Sequence, residues 1–467
     1  MGTALSLIFY FSTFLILFGL GYYIVNIYKI NKLYYQLYDT KSIVGLRKFP
    51  YPYKAALAIA SDIDSTNTVE EFIEIQEFLN TKNITNMGEG VGLEIGNSFF
   101  MFHPTDKFSY FSTKDRDKII IRKFIEAGYF DCLHSWGDGY KDRNDAQIAL
   151  NELKKYNLNI KVWINHSDEK SNIGREPSSN LGDNRDTKYY HADLTIPYGI
   201  KYVWMHSLTS IIGQATPITF TTFFGSFDSS YSLQSIRHIV KSLVKNILSI
   251  FGLWQSKYSL HANNDLIKIV KLKDGQKVYE FLRYDSHPDG IGYGATSKAM
   301  AYNLSEKVFR QLKKVRGYGI LYTHFGKNKD CPQKICEETQ RALRNLEKEY
   351  RKGEIYVTKT SKLLNYYINH KYLKYSYIEN SNEVSIEIHN VEDPVFGKFV
   401  PSLEELQGIT FYVPKGKSVR IFIDGKEIKN IIMNQADEIN QESVTIPFKF
   451  CNYPSLNLNH VLNDRMK

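Results

Sequence analysis

Four places in the chain set metal-ligating or proton-moving side chains directly behind a short apolar run. Asp62 and Asp64 follow Ala55–Ala60 (AALAIA), and His134 and Asp138 lie in and after Phe130–Trp136. His166 follows Ile160–Asn165, and His324 follows Gly319–Thr323. Imidazole and carboxylate donors with water positions left open suit zinc first, with manganese, cobalt or iron as alternatives. Such an ion polarises a carbonyl and lowers the pKa of its water towards about 7. A carboxylate nearby can then take the proton, and a histidine opposite can protonate the leaving group. Singly, each residue has a plainer reading: an Asp behind a strand usually caps a helix, and a lone His is usually a hydrogen-bonded structural residue. Four such strand ends together favour an active site. No Gly-rich phosphate loop, nucleophile-elbow Ser or His-Glu-x-x-His helix competes with it.

The elements that must position these residues alternate along the chain. Ala55–Ala60 reads as a buried strand, and Thr68-Val69-Glu70-Glu71 as a capping box opening a helix with Phe72, Ile73, Phe78 and Leu79 on its apolar face. Val91–Phe102, Phe130–Trp136 and Ile160–Asn165 read as strands, Lys114–Ala127 and Asn144–Tyr156 as helices. The rhythm resumes with helix Met300–Lys314, strand Gly319–Thr323, helix Lys334–Lys352, strand Ile355–Thr358 and helix Lys362–Tyr372. Asp274-Gly275 between alternating segments predicts a β-hairpin over Ile267–Tyr284. Strand, polar tip and helix in repetition imply parallel strands with right-handed crossovers. The expected fold class is therefore α/β: a closed or nearly closed (β/α) barrel over residues 50–372, with its site at the C-terminal strand ends. Short strands at Ser385–Ile388, Ile409–Val413, Ser418–Ile423 and Val444–Phe450 predict a β-sandwich-like module over 373–467.

Ala56–Asp64 (ALAIASDID), His134–Asp138 and Leu321–His324 (LYTH) resemble the polysaccharide deacetylase, or NodB-homology, superfamily, over roughly Lys54–Tyr372. The Asp-x-Asp form of the first motif is similar to that of deformylases acting on lipid-linked aminoarabinose. The resemblance implies Asp62 as the base, Asp64, His134 and the residue at 138 as metal ligands, and His324 as the general acid. Where the family has a second His, this chain has Asp138; the site becomes more anionic, and His166 is a candidate for the missing nitrogen. For the family's Arg-containing motif, Arg175 and Arg283 are the candidates, and with Trp136 they are the expected substrate contacts. The implied activity is metal-dependent removal of an acetyl or formyl group from an amino sugar of a polysaccharide or lipid-linked glycan. A metal-free glycoside hydrolase using Asp62, Asp64 and Asp138 at the required separation of about 5–9.5 Å and a degenerate glycan-binding barrel remain the alternatives.

Ala4 to Tyr28 carries no charge and is long enough to cross a hydrocarbon core of roughly 30 Å. Residues 1–30 are therefore expected to be an uncleaved single-pass membrane anchor. Lys29, Lys32, Lys41, Arg47 and Lys48 behind it place the C-terminal part in the cytoplasm by the positive-inside rule. Glycan modification is more usual outside, so the side is left open. The 467 residues are 43% hydrophobic and 23% charged, which excludes wholesale disorder and a polytopic membrane protein. The net charge of +9 is spread without an Arg-rich block, which argues against a nucleic-acid partner. Cys132, Cys331, Cys336 and Cys451 are too few and scattered for a disulfide framework. Tyr140, Tyr189, Tyr190, Tyr202 and Trp204 could stack on sugar rings, although in a chain with 14% aromatics ordinary packing is the favoured reading.

Overall fold

The structure is a computed structural model that describes residues 2–37, 43–63, 65–103, 108–174, 179–253, 258–328, 331 and 333–456. Its centre is one sheet. In chain order the strands are β1 (Ala55–Asp62), β2 (Gly96–Phe99), β3 (Phe130–His134), β4 (Val162–Ile164), β5 (Tyr202–Trp204), β6 (Leu208–Thr209), β7 (Ile267–Lys271), β8 (Lys277–Phe281), β9 (Arg283–Tyr284), β10 (Tyr318–Thr323) and β11 (Ile355–Thr358). Across the sheet the order is β7-β8-β5-β4-β3-β2-β1-β10-β9-β6, with β11 beside the first half of β1. All neighbours are parallel except β7 and β8, the hairpin turning at Gly275 (φ 96°).

This corrects the expected barrel. The edges β6 and β7 do not pair, so the sheet stays open. Its inner face is filled in another way. Alternate residues of a strand point to opposite faces, and Ala56, Ala58 and Ala60 of β1 share a core with Cys132, Val162, Tyr202, Phe281 and Ile320. That core also contains Leu363, Leu364 and Ile368 of helix Thr360–Tyr372 and Val384, Ile386, Phe411 and Val444 of the C-terminal region. A helix and a second β unit thus pack against the inner face of this curled sheet. The odd residues Ala55, Leu57 and Ile59 face outward onto Phe78, Leu79, Phe309, Leu343 and Leu346 of covering helices.

Those helices begin where the chain provides caps. Thr68 Oγ1 accepts the amide of Glu71 at 3.1 Å, opening helix Val69–Asn80 as its capping box predicts. Asp142 and Asp145 form a reciprocal box at the start of helix Arg143–Lys155. The expected helix over Met300–Lys314 is broken into Met300–Asn303 and Glu306–Val315.

The C-terminal region is β-rich, with a five-stranded sheet built from Leu373–Glu379, Glu383–Asp393, Gly397–Phe399, Ser418–Ile423 and Lys426–Glu427. A four-stranded sheet joins Thr410–Val413, Ile432–Asn434 and Glu442–Thr445 to Gly45–Leu46, which pairs with Tyr412 and Phe411. Beside that strand the buried Arg47 gives hydrogen bonds to the carbonyls of Phe49, Pro50, Pro52 and Tyr53, and to Asp437 Oδ2 at 3.2 Å.

The expected membrane anchor is also corrected: among the described residues no helix is long and apolar enough to cross a membrane. Helix Gly2–Leu37 continues past Tyr28 through Lys29, Asn31 and Lys32, and this part packs on the remainder of the chain. Tyr23 Oη donates to Asn246 Oδ1 at 2.8 Å, and Asn31 exchanges two 2.8 Å hydrogen bonds with the backbone of Ile218. Asn246 belongs to helix Ser232–Ile250, in a stretch to which sequence reasoning assigned no element. Cys331 and Cys336 form a disulfide across a separation of 5 residues, against the expectation of an unstapled chain.

Candidate active site at the strand ends

The parity of the inner face delivers the site. On β1 the inward series Ala56, Ala58 and Ala60 ends at Asp62; on β3 Cys132 precedes His134; on β5 Tyr202 precedes Trp204; on β10 Tyr318 and Ile320 precede Tyr322. Tyr279 and Phe281 lead in the same way to Arg283. These residues therefore emerge together at the C-terminal ends of parallel strands.

Asp62 is 1% exposed. Ser98 Oγ donates to its Oδ1 at 2.6 Å, and Arg283 donates from Nη1 to Oδ2 at 3.1 Å and from Nη2 to Oδ1 at 3.3 Å. The guanidinium lies against two aromatic rings that stack on each other, 4.3 Å from the Trp204 ring centre and 4.9 Å from that of Tyr322. A planar fork held against aromatic rings is suited to bidentate carboxylate binding. His134 Nε2 stands 3.9 Å from Asp62 Oδ2.

A second cluster adjoins the first through Phe100, whose ring stacks on His134 with centres 4.5 Å apart. The His166 ring centre is 4.6 Å from that of His134. His166 Nδ1 is 2.6 Å from Asp138 Oδ1, and His103 Nε2 is 3.2 Å from Asp138 Oδ2. Burial raises the Asp138 pKa, but the hydrogen bonds and charges of His103 and His166 outweigh it and hold the carboxyl below its ordinary range. The turn bearing Asp138 is tied down by Glu169, which accepts the amides of Gly139 at 3.0 Å and Tyr140 at 2.7 Å. Gly137 (φ 128°) sits so close to the Phe102 carbonyl that a Cβ would overlap it. That close approach carries His103, the residue after Phe102, to the site.

His324 is 5% exposed. Its Nδ1 is 3.1 Å from the Ala295 carbonyl, and its Nε2 is 3.5 Å from Tyr322 Oη. A carbonyl only accepts, so Nδ1 carries the hydrogen there and Nε2 is the nitrogen through which a proton can come and go. Tyr322 thus touches His324 on one side and Arg283 on the other.

Of the expected site residues, Asp62, His134, Asp138, His166 and Arg283 are brought into these two clusters. His324 joins them through Tyr322. Arg283, expected to meet substrate, instead binds Asp62. Trp136 is fully buried against Trp163 and His191, which corrects its place as a substrate contact. Asp64 and Arg175 lie outside the described residues. Sequence reasoning missed Ser98, His103 and Tyr322. Tyr322 was accessible by strand parity, two residues before His324; His103 carried no periodic signal.

Among the described residues no group of three or more His, Cys, Asp and Glu side chains is arranged to hold a metal ion. The donor types still suit one: His134 and His166 as imidazoles, and Asp138 as a carboxylate, form the mixed set that zinc and harder divalent ions accept. The chain matches no family model, no curated protein and no solved structure.

Proposed function

We propose that the chain is a metal-dependent hydrolase of the polysaccharide deacetylase type, removing an acetyl or formyl group from the nitrogen of an amino sugar in a polysaccharide or lipid-linked glycan. The observation that carries this reading is the buried Asp62, clamped by Arg283 and Ser98 with His134 beside it. A carboxylate kept in place by a fixed cation is suited to accept a proton from an attacking water.

In this mechanism Asp62 takes the proton of water as its oxygen attacks the amide carbon. Tetrahedral collapse breaks the carbon–nitrogen bond, and His324 Nε2 delivers a proton to the departing amine. The Ala295 carbonyl on Nδ1 fixes the ring so that this nitrogen is the one presented. Arg283 acts by positioning Asp62. A divalent ion, zinc first, is assigned to His134, His166 and Asp138, with Asp64 as the ligand the resemblance supplies; when bound it would polarise the acyl carbonyl and ease deprotonation of water.

The test is release of acetate or formate from N-acylated amino-sugar oligomers, with bound metal counted in the same preparation. Acid release that requires the metal and falls in Asp62→Asn supports the reading. Wild-type protein that binds no divalent ion and releases no acid from either class of substrate overturns it.

A further inference from the structure

Between Asp193 and Asp265 the chain holds a single acid, Asp228, and helix Ser232–Ile250 in the middle of that stretch holds none. Its buried side is mostly polar: Ser235, Ser242, Asn246 and Ser249 face inward together with Ile239. Ser242 Oγ lies 2.9 Å from Ser210 Oγ, and Asn246 Nδ2 donates to the His261 carbonyl at 2.7 Å. Four aliphatic residues face the other way. Leu233 is 82% exposed, Ile236 50%, Val240 53% and Val244 46%, and their spacing of three and four puts them on one stripe. A helix on a water-facing surface ordinarily shows the reverse arrangement. Arg237, Lys241 and Lys245 line the same groove as those four. Phe220, 77% exposed, and Phe224, 44% exposed, stack on each other on the short helix beside it.

We propose that this face docks on the surface of an anionic lipid bilayer. The aliphatic stripe and the Phe220–Phe224 pair enter the boundary between headgroups and acyl chains, while Arg237 and Lys241 meet lipid phosphates. This is interfacial attachment by an amphipathic surface, with no part of the helix crossing the membrane. Charge decides between occupants. In a two-fold contact with a second copy the same cations would face themselves, whereas an anionic headgroup layer complements them and leaves their stems in apolar surroundings. Ser210, which Ser242 meets, directly follows the strand β6. The docking helix therefore flanks the strand-end rim that carries the site. The inference does not depend on the hydrolase reading.

The full chain is sedimented with vesicles of phosphatidylcholine alone, or with about a third phosphatidylglycerol, at low and high salt. The wild type should bind the acidic vesicles more tightly, with the preference shrinking as salt screens it. Arg237→Gln with Lys241→Gln should weaken binding to acidic vesicles roughly 10- to 30-fold and leave phosphatidylcholine binding alone. Leu233→Ser with Val240→Ser should weaken binding to both. All four positions are on the exposed groove, and an unchanged melting temperature verifies folding. Three results overturn the proposal: no vesicle binding by the wild type, equal binding by both double variants and wild type, or a lipid-free dimer that the Leu233→Ser, Val240→Ser variant dissociates.

Discussion

Arg283 and Asp62 are separated by 221 residues and meet through two hydrogen bonds in a pocket where neither side chain exceeds 1% exposure. Removing one partner of such a pair leaves an uncompensated buried charge, which typically costs 3–5 kcal/mol. Arg283→Gln should therefore lower the denaturant midpoint and the rate of acid release together. Arg283→Lys should recover part of the stability and little of the rate, because an ammonium cannot reproduce the fork. Denaturation curves and turnover measured on the same preparations check this.

Asp62→Asn should lose roughly 10²–10⁴-fold in turnover, the usual worth of a positioned base. Bound metal should stay near the wild-type count, since the ligands assigned to the ion are other residues. Metal analysis alongside the rate separates this outcome from loss of the ion.

His324→Ala should reduce turnover by a similar factor and alter the basic limb of the pH–rate profile, where a general acid loses its proton. Tyr322→Phe removes the hydroxyl 3.5 Å from Nε2 while keeping the ring against Arg283. It should shift that limb with a smaller loss of rate. An unchanged profile in both variants would remove His324 from the acid role.

Burial holds His370 neutral, with its pKa lowered to about 4, and its Nε2 donates to the Arg47 carbonyl at 3.0 Å. His191 is likewise lowered by burial to about 4. Unfolded histidines titrate near 6.5, so the unfolded chain takes up protons first as pH falls. The stability contributed is complete above about pH 6.5 and is lost between there and about pH 4. His370→Gln keeps a neutral donor and should flatten this decline by up to roughly 3 kcal/mol, measured as denaturant midpoints across the range.

The Cys331–Cys336 disulfide closes a short loop after β10. In the chain-entropy treatment a loop of this length is worth about 2 kcal/mol. Cys331→Ser with Cys336→Ser should lower stability by that amount or less, and a reductant should have the same effect on the wild type and none on the variant.

Features governed by neighbouring residues were readable from the amino acids. β11 runs over Ile355–Thr358 as its apolar run predicts, the hairpin turns at Asp274-Gly275, and Thr68 caps its helix. Convergence of Asp62 and His134 follows from strand ends lying on one side. What distant contacts decide was not readable. Whether β6 meets β7 depends on sheet curvature and on what fills the inner face, and here the filler comes from Thr360 onward. Helix Ser232–Ile250 has helical periodicity, but apart from Ile239 its buried residues are polar, so the usual association of apolar with inward fails. His103 arrives through the approach of Phe102 to Gly137, a relation with no local signature. The partner of Arg283 could have been sought by parity from Tyr279 and Phe281, because both lie on the face that carries Asp62.

The pairing of Gly45–Leu46 with Phe411 and Tyr412 sets a timetable for synthesis. Nearly the first part of the described chain waits for nearly the last, about 370 residues later, which at roughly 5–20 residues per second is tens of seconds. Until Thr410–Val413 leaves the ribosome, Arg47 has no Asp437 and the strand edge at Gly45 has no neighbour. The C-terminal β unit is thus no detachable accessory. A fragment that keeps this edge paired must start before Gly45 and run through Thr445, so trimming at Leu373 would remove part of the core beneath the site.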